Sequence, residues 1–134
     1  MKRLNIGLVC FAVSITSASC KEVDPVVEIC KHAVYVNFPD GSSMKNITAT
    51  IRDYSVHLSF ELQIRTNDQP SKHKAICEFA LTETAGILLG GLVIDDERLP
   101  EGKPTASLLL AIAQTGILRI EPSQTRLKPL KLNN

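Results

Sequence analysis

The chain has 134 residues, with 15 Lys plus Arg against 14 Asp plus Glu, four cysteines, no tryptophan and aromatic residues at 4%. Charge balanced this closely supplies no polybasic face for nucleic acid, and so few aromatic rings leave little material for a base-stacking platform or a carbohydrate cleft. Once an N-terminal leader is set aside, about 115 residues remain, the size of one domain around a single core.

Met1, Lys2 and Arg3 form a positive start, Ile6 to Ile15 an apolar stretch, and Ser17-Ala18-Ser19 a run of small residues. This is the three-part plan of a secretory signal, and Ser14, Thr16, Ser17 and Ser19 interrupt it too early for a spanning helix. Residues 1–19 are therefore expected to be a removed leader. Ser17-Ala18-Ser19-Cys20 also resembles the lipobox of bacterial lipoproteins in its last three positions, with Ser17 where that family usually has Leu. The resemblance covers the first 20 residues. It implies that Cys20 becomes the first residue of the mature chain and carries a thioether-linked diacylglycerol. Cysteine arithmetic points the same way. With Cys10 lost in the leader, Cys20, Cys30 and Cys77 remain, an odd number for an exported chain. A disulfide between Cys30 and Cys77 leaves Cys20 over, where lipidation would consume it. A soluble periplasmic or secreted protein with unmodified Cys20 is the alternative.

Asp24 followed by Pro25 reads as an N-cap and first helical position, and Val26, Ile29, Cys30, Ala33 and Val34 recur on one helical face over about 25–36. Phe38-Pro39-Asp40-Gly41 closes that element with turn chemistry. Ile47, Ala49 and Ile51 alternate with Thr48, Thr50 and Arg52, and a short link through Asp53 and Tyr54 leads into "SVHLSFELQIRT". There Val56, Leu58, Phe60, Leu62 and Ile64 alternate with polar residues, the pattern of a strand with one buried face. After the loop "NDQPSK", Ala75, Cys77, Phe79 and Leu81 form one face of a third strand, so that Cys77 on the sheet meets Cys30 on the covering helix. A fourth strand is expected around Leu92 to Glu97, after a bend or bulge at Gly86, Gly90 and Gly91. A second helix runs from Pro104 to Gly116 with Leu108, Leu109, Ile112 and Ala113 facing inward. The expectation is an α+β domain over 20–118, with an antiparallel sheet of three to four strands packed by an N-terminal and a C-terminal helix. Residues 119–134 are expected to be an extended or flexible tail carrying Arg126, Lys128 and Lys131.

No catalytic, metal or cofactor site follows from the spacing. His57 and Glu61 share a strand face but stand roughly 13 Å apart, too far for one ion. Glu28 and His32 lie one helical turn apart with no third ligand, and Asp95, Asp96 and Glu97 lack the layout of a calcium loop. The expected function is that of an exported bacterial envelope protein in the periplasm or on the outer membrane. It would be held to the membrane by a lipid on Cys20 and act as a non-enzymatic binding or assembly module for an envelope partner, with no nucleic acid. Its contact surface is expected on the sheet face carrying His57, Ser59, Glu61 and Arg65, or on a basic loop Lys72-His73-Lys74. The opposing readings are a small secreted or periplasmic hydrolase whose site forms only in three dimensions, and an inhibitor of another envelope enzyme.

Overall fold

Asp24 caps the first helix: its carboxylate accepts the Val26 amide at 3.1 Å, and Pro25 takes the first helical position, where no amide needs a partner. This helix, α1, runs Pro25–Tyr35 in the computed structural model, which describes residues 23–132. The expected leader with Cys10, and Cys20 as the expected attachment site, lie outside the described residues. Val26, Ile29, Cys30, Ala33 and Val34 are all buried, so one face of α1 belongs to the core.

A meander of five strands follows: β1 (Ser43–Arg52), β2 (Ser55–Gln63), β3 (Ser71–Thr82), β4 (Gly86–Ile94) and β5 (Glu97–Arg98). Each is antiparallel to its predecessor. Helix α2 (Lys103–Thr115) comes next, then a 3-10 turn at Pro122–Gln124, and β6 (Leu130–Lys131) pairs in parallel with β3. The fold is α+β, an antiparallel sheet packed by an N-terminal and a C-terminal helix. The sheet has more strands than the expected three to four.

The extra strands have local causes. Glu78 pairs with Gly91 and Phe79 with Leu89, so Gly90 is the additional residue of a bulge inside β4 and the strand begins earlier, at Gly86. Asp95 and Asp96 are not strand residues with side chains on alternate faces. Both adopt left-handed backbone, φ 53° and 70°, and form the two-residue turn that returns the chain as β5. An Arg98 guanidinium fork on Glu78, at 2.8 and 3.0 Å, then ties β5 across β4 to β3. A Cβ on Gly91 would lie 2.9 Å from that guanidinium, so the glycine leaves room for the crossing.

Two apolar assignments shift. Val56, Leu58, Phe60 and Leu62 are buried, but Ile64 lies past the end of β2 and is 41% exposed. On α2 the buried residues are Pro104, Ser107, Leu108 and Ala111, with Ile112 partly buried, whereas Leu109 is 62% exposed and Ala113 is exposed. The face is rotated because α2 must also meet α1. Asn37 donates to Ser107 Oγ at 3.0 Å, and His32 Nδ1 lies 2.7 Å from Gln114 Oε1, which sets the two helices antiparallel. Beyond α2 the chain stays against the domain. Ile117, Ile120 and Leu127 are core residues, and the Ile87 amide bonds to the Ile120 carbonyl at 2.9 Å.

Cys30 of α1 and Cys77 of β3, both without solvent exposure, are joined in a disulfide across 47 residues, with Cα atoms 5.8 Å apart. It ties the helical layer to the middle strand of the sheet. Replacing both cysteines by Ala is expected to lower unfolding free energy by about 3–4 kcal/mol, read as a fall in denaturant midpoint. Reduction of the native chain should produce a shift of the same sign, and peptide mapping under non-reducing conditions should recover the Cys30 and Cys77 fragments linked.

Candidate functional site

The helices cover one face of the sheet, and strand alternation sends every second side chain of β2 and β3 to the other face, which is open. Ser59, Glu61, Lys72 and Lys74 occupy this open face, and Glu61 stands in register between Lys45 of β1 and Lys72 of β3. A bulge between Lys45 and Thr48 puts Asn46 in left-handed backbone, φ 53°, and its amide donates to Glu61 Oε1 at 3.1 Å. The resulting cleft, about 420 Å³, is lined by Asn46, Ser59, Glu61, Lys72, Lys74 and Asp95, among others. A second cleft of about 280 Å³ adjoins it and shares Ser59 and Lys74, adding Thr50, Arg52, His57 and Asp96. Together they make a trough across the sheet with both signs of charge along it. His57 sits at one end, 3.1 Å from Ser55 Oγ. Burial and the neighbouring Arg52 charge lower its pKa, so the neutral imidazole is favoured.

A second group gathers where the trough meets the helical side. Ser71 and His73 are two residues apart on β3 and share a face, and the β4–β5 turn brings Asp95 alongside. Ser71 Oγ lies 2.7 Å from His73 Nε2, and His73 Nδ1 lies 2.6 Å from Asp95 Oδ2. The other Asp95 oxygen accepts the Lys74 amide at 3.0 Å. The His73 ring stacks on Phe60 at 5.7 Å and meets the edge of Phe38 at 5.5 Å, which fixes its plane. Burial pushes the Asp95 carboxyl up, but hydrogen bonds from His73 and the Lys74 amide, with the charges of both residues, outweigh it and hold the pKa below the usual value. Hydroxyl, imidazole and carboxylate in this order form a proton relay: a carboxylate on Nδ1 leaves Nε2 free to accept the hydroxyl proton. Ser71 is not among the residues lining the neighbouring cleft, whereas His73 and Asp95 are.

The open face thus gathers His57, Ser59, Glu61, Lys72 and Lys74. It does not include Arg65, which lies in the connection 64–70 beyond β2. Lys72-His73-Lys74 is not a loop but part of β3, and the strand turns His73 away from its two lysine neighbours. Glu28 and His32 do not converge either: Glu28 pairs with Lys31 at 3.0 Å, and His32 with Gln114. Asn46, Ser71 and Asp95 are the site residues that sequence reasoning missed. The signal for Asp95 was present in its neighbour, since an Asp-Asp pair after an apolar run is turn chemistry as readily as metal chemistry.

Comparison with protein-family models, curated proteins and solved structures yields no match for the chain. The function is therefore argued from geometry.

Because the folded state depresses its pKa, Asp95 contributes stability that is present above its unfolded-state pKa and lost as pH falls through the folded-state value. Asp95→Asn, which tolerates the left-handed backbone, is expected to cost about 1 kcal/mol at pH 7. The difference from wild type should narrow as pH falls below the usual aspartate range, measured by denaturant melts at successively lower pH.

Proposed function

We propose that the protein is an exported envelope module, tethered through a lipid on Cys20, that binds a polypeptide partner of the envelope along the open face of its sheet. The observation that carries the binding role is the trough itself: two adjoining clefts on the sheet face that the helices leave uncovered, with Glu61, Asp95 and Asp96 set among Arg52, Lys72 and Lys74. Alternating charge of this kind favours a polar partner of matching pattern and rejects one of uniform sign. The address is supported by the basic start, short apolar run and small residues before Cys20, by the odd cysteine left once Cys30 and Cys77 pair, and by a disulfide that suits an oxidising compartment.

Photo-crosslinking residues placed at Ser59 and Lys72 in living cells test the face. Both are expected to capture the same polypeptide, and Glu61→Lys combined with Lys74→Glu is expected to abolish the adduct. Sheet-face probes that yield no more than a probe at Leu109 on α2 would overturn the binding role. The tether has its own readout: intact mass of the membrane-fraction protein should show at least the diacylglycerol on wild type and no lipid on Cys20→Ser. Wild type recovered soluble with an unmodified Cys20 overturns the tether and leaves the binding face to its own result.

The Ser71–His73–Asp95 relay favours a second reading, a small hydrolase acting through Ser71. An alkyl fluorophosphonate should then label Ser71 in wild type and not in His73→Ala. A wild-type chain left unlabelled removes this reading.

A further inference from the structure

The domain has two distinct ends. The relay, the 64–70 connection and the start of α2 lie at one. At the other, the chain leaves α1 toward Cys20, and the C-terminal segment gathers around that exit. The Arg126 amide donates to the Asp24 cap carboxylate at 3.0 Å, and the Lys128 amide to the Asp53 carbonyl at 2.7 Å. β2 begins opposite Glu78, which leaves the flank of β3 at Ala80 and Leu81 open, and β6 pairs there. Because α1 and α2 are antiparallel, the segment after α2 arrives at the same end, and Leu118 lines a crevice with Ile29 of α1. Along β3, this end lies roughly 26 Å from His73, at about 3.3 Å per residue.

The side chains at this end face solvent against their chemistry. Leu118 is 80% exposed, Leu130 51% and Leu132 52%. Arg126, Lys128 and Lys131 are exposed between and beside them, and among the described residues none of the three pairs with a carboxylate. No acidic residue follows Glu121 in the sequence. Arg126 and Lys128 also line an open cleft of about 470 Å³ with Asp53 and the end of β1, room enough for an anionic head group beside two cations. Asp24, Asp53, Glu83 and Glu121 are also at this end; the Asp24 carboxylate accepts the Arg126 amide and Glu121 pairs with Arg119, which leaves the exposed Asp53 and Glu83 against three cations.

We infer that this end of the domain is a membrane-contact surface, in which Leu118, Leu130 and Leu132 enter the interface of an anionic phospholipid bilayer while Arg126, Lys128 and Lys131 meet its head groups. Apolar side chains with adjacent cations are the combination that interfacial binding uses, and beside a multi-chain lipid on Cys20 such a contact would serve to orient the domain on the bilayer. The inference rests on the tether reading for its biological setting, since three residues separate Cys20 from the helix cap Asp24 at the same end. Its orientation follows: the relay and the Glu61–Lys72 part of the trough would lie away from the bilayer, with the Arg52–His57 part nearer to it.

The chain has no tryptophan, so a single introduced one is a clean reporter. Leu130→Trp and Asn67→Trp, in the full chain, would be mixed with vesicles of brominated phosphatidylcholine alone or with phosphatidylglycerol at about a third of the lipid, a mole fraction high enough to give a negative surface potential. The expected result is quenching and a blue shift for Leu130→Trp in the anionic vesicles, with Asn67→Trp unchanged. Neutralising Arg126, Lys128 and Lys131 to Gln should reduce partitioning about fivefold per residue, as should added salt. No quenching of Leu130→Trp overturns the inference, even where wild type is acylated and membrane-bound in cells. Quenching that is indifferent to the three neutralisations also overturns it, because insertion of the leader alone would give that result. A dimer in light scattering that Leu132→Glu dissociates, without quenching, assigns the patch to a second copy instead. Repeating the measurement with Cys20→Ser separates the two readings: quenching that persists there supports the surface whatever becomes of the tether.

Discussion

The Cys30–Cys77 disulfide is the constraint on which the arrangement of the domain depends. It sits where α1 crosses the middle strand of the sheet, with both residues fully buried, and it joins the two layers at a point that no other contact could hold as firmly. The core around it is mostly aliphatic: Val26, Ile29, Val34, Val56, Leu58 and Leu92 surround it, and Phe79 is its largest fully buried side chain. A domain of this size buries a modest share of its surface, so a cross-link that restricts the unfolded chain contributes a large part of a small net stability. With the helix held there, its C-terminal turn and the following loop place Phe38 beside Phe60 and His73, and α2 packs antiparallel against it. The relay and the end of the trough are thus positioned indirectly by a bond that lies four residues from His73 along β3 and is reached from Phe38 through α1.

The same constraint divides the surface into parts with different chemistry. Helices occupy one face, the open face carries the mixed charges of the trough, and the two ends differ from each other. On the proposed reading, the relay-side part of the trough is separated from the attachment along the strand direction, so that a partner can reach Glu61 and Lys72 without competing with the bilayer. The bulges serve this division. One in β1 aims Asn46 at Glu61, and one in β4 places Gly91 opposite Glu78, where the Arg98 bridge passes over it. Both are local irregularities that shape the open face and leave the buried face continuous.

Much of this was legible in the residues, and the failures have identifiable causes. Period-two alternation in β2 and β3 and the capped helix at Asp24-Pro25 located three elements and the facing positions of Cys30 and Cys77, because burial imposes those periods directly. Ile64 misled because alternation continues past the point where pairing stops. On α2 (Lys103–Thr115), a helix with no charge after Lys103 offers no charged face to orient it, and the direction was set by Asn37 and Gln114 contacts that the local pattern does not encode. The tail looked like a polar terminus because its two core residues, Ile120 and Leu127, stand isolated among polar ones. Asp95 belongs to the site only through a turn and a contact across 22 residues. Ser71 joins by ordinary strand spacing, but nothing in its neighbours distinguishes it before His73 is placed.

The position of the cross-link also has a mechanical meaning. Tension applied at the N-terminus enters the domain at Asp24 and passes through about two turns of α1 before it meets a covalent bond. From there it is carried straight into the central strand, so the helix cannot be peeled from the sheet by pulling on it. A molecule held at one end and loaded at the other would give way last in its core. The Arg126–Asp24 contact adds a second, weaker clasp at the point where force first arrives.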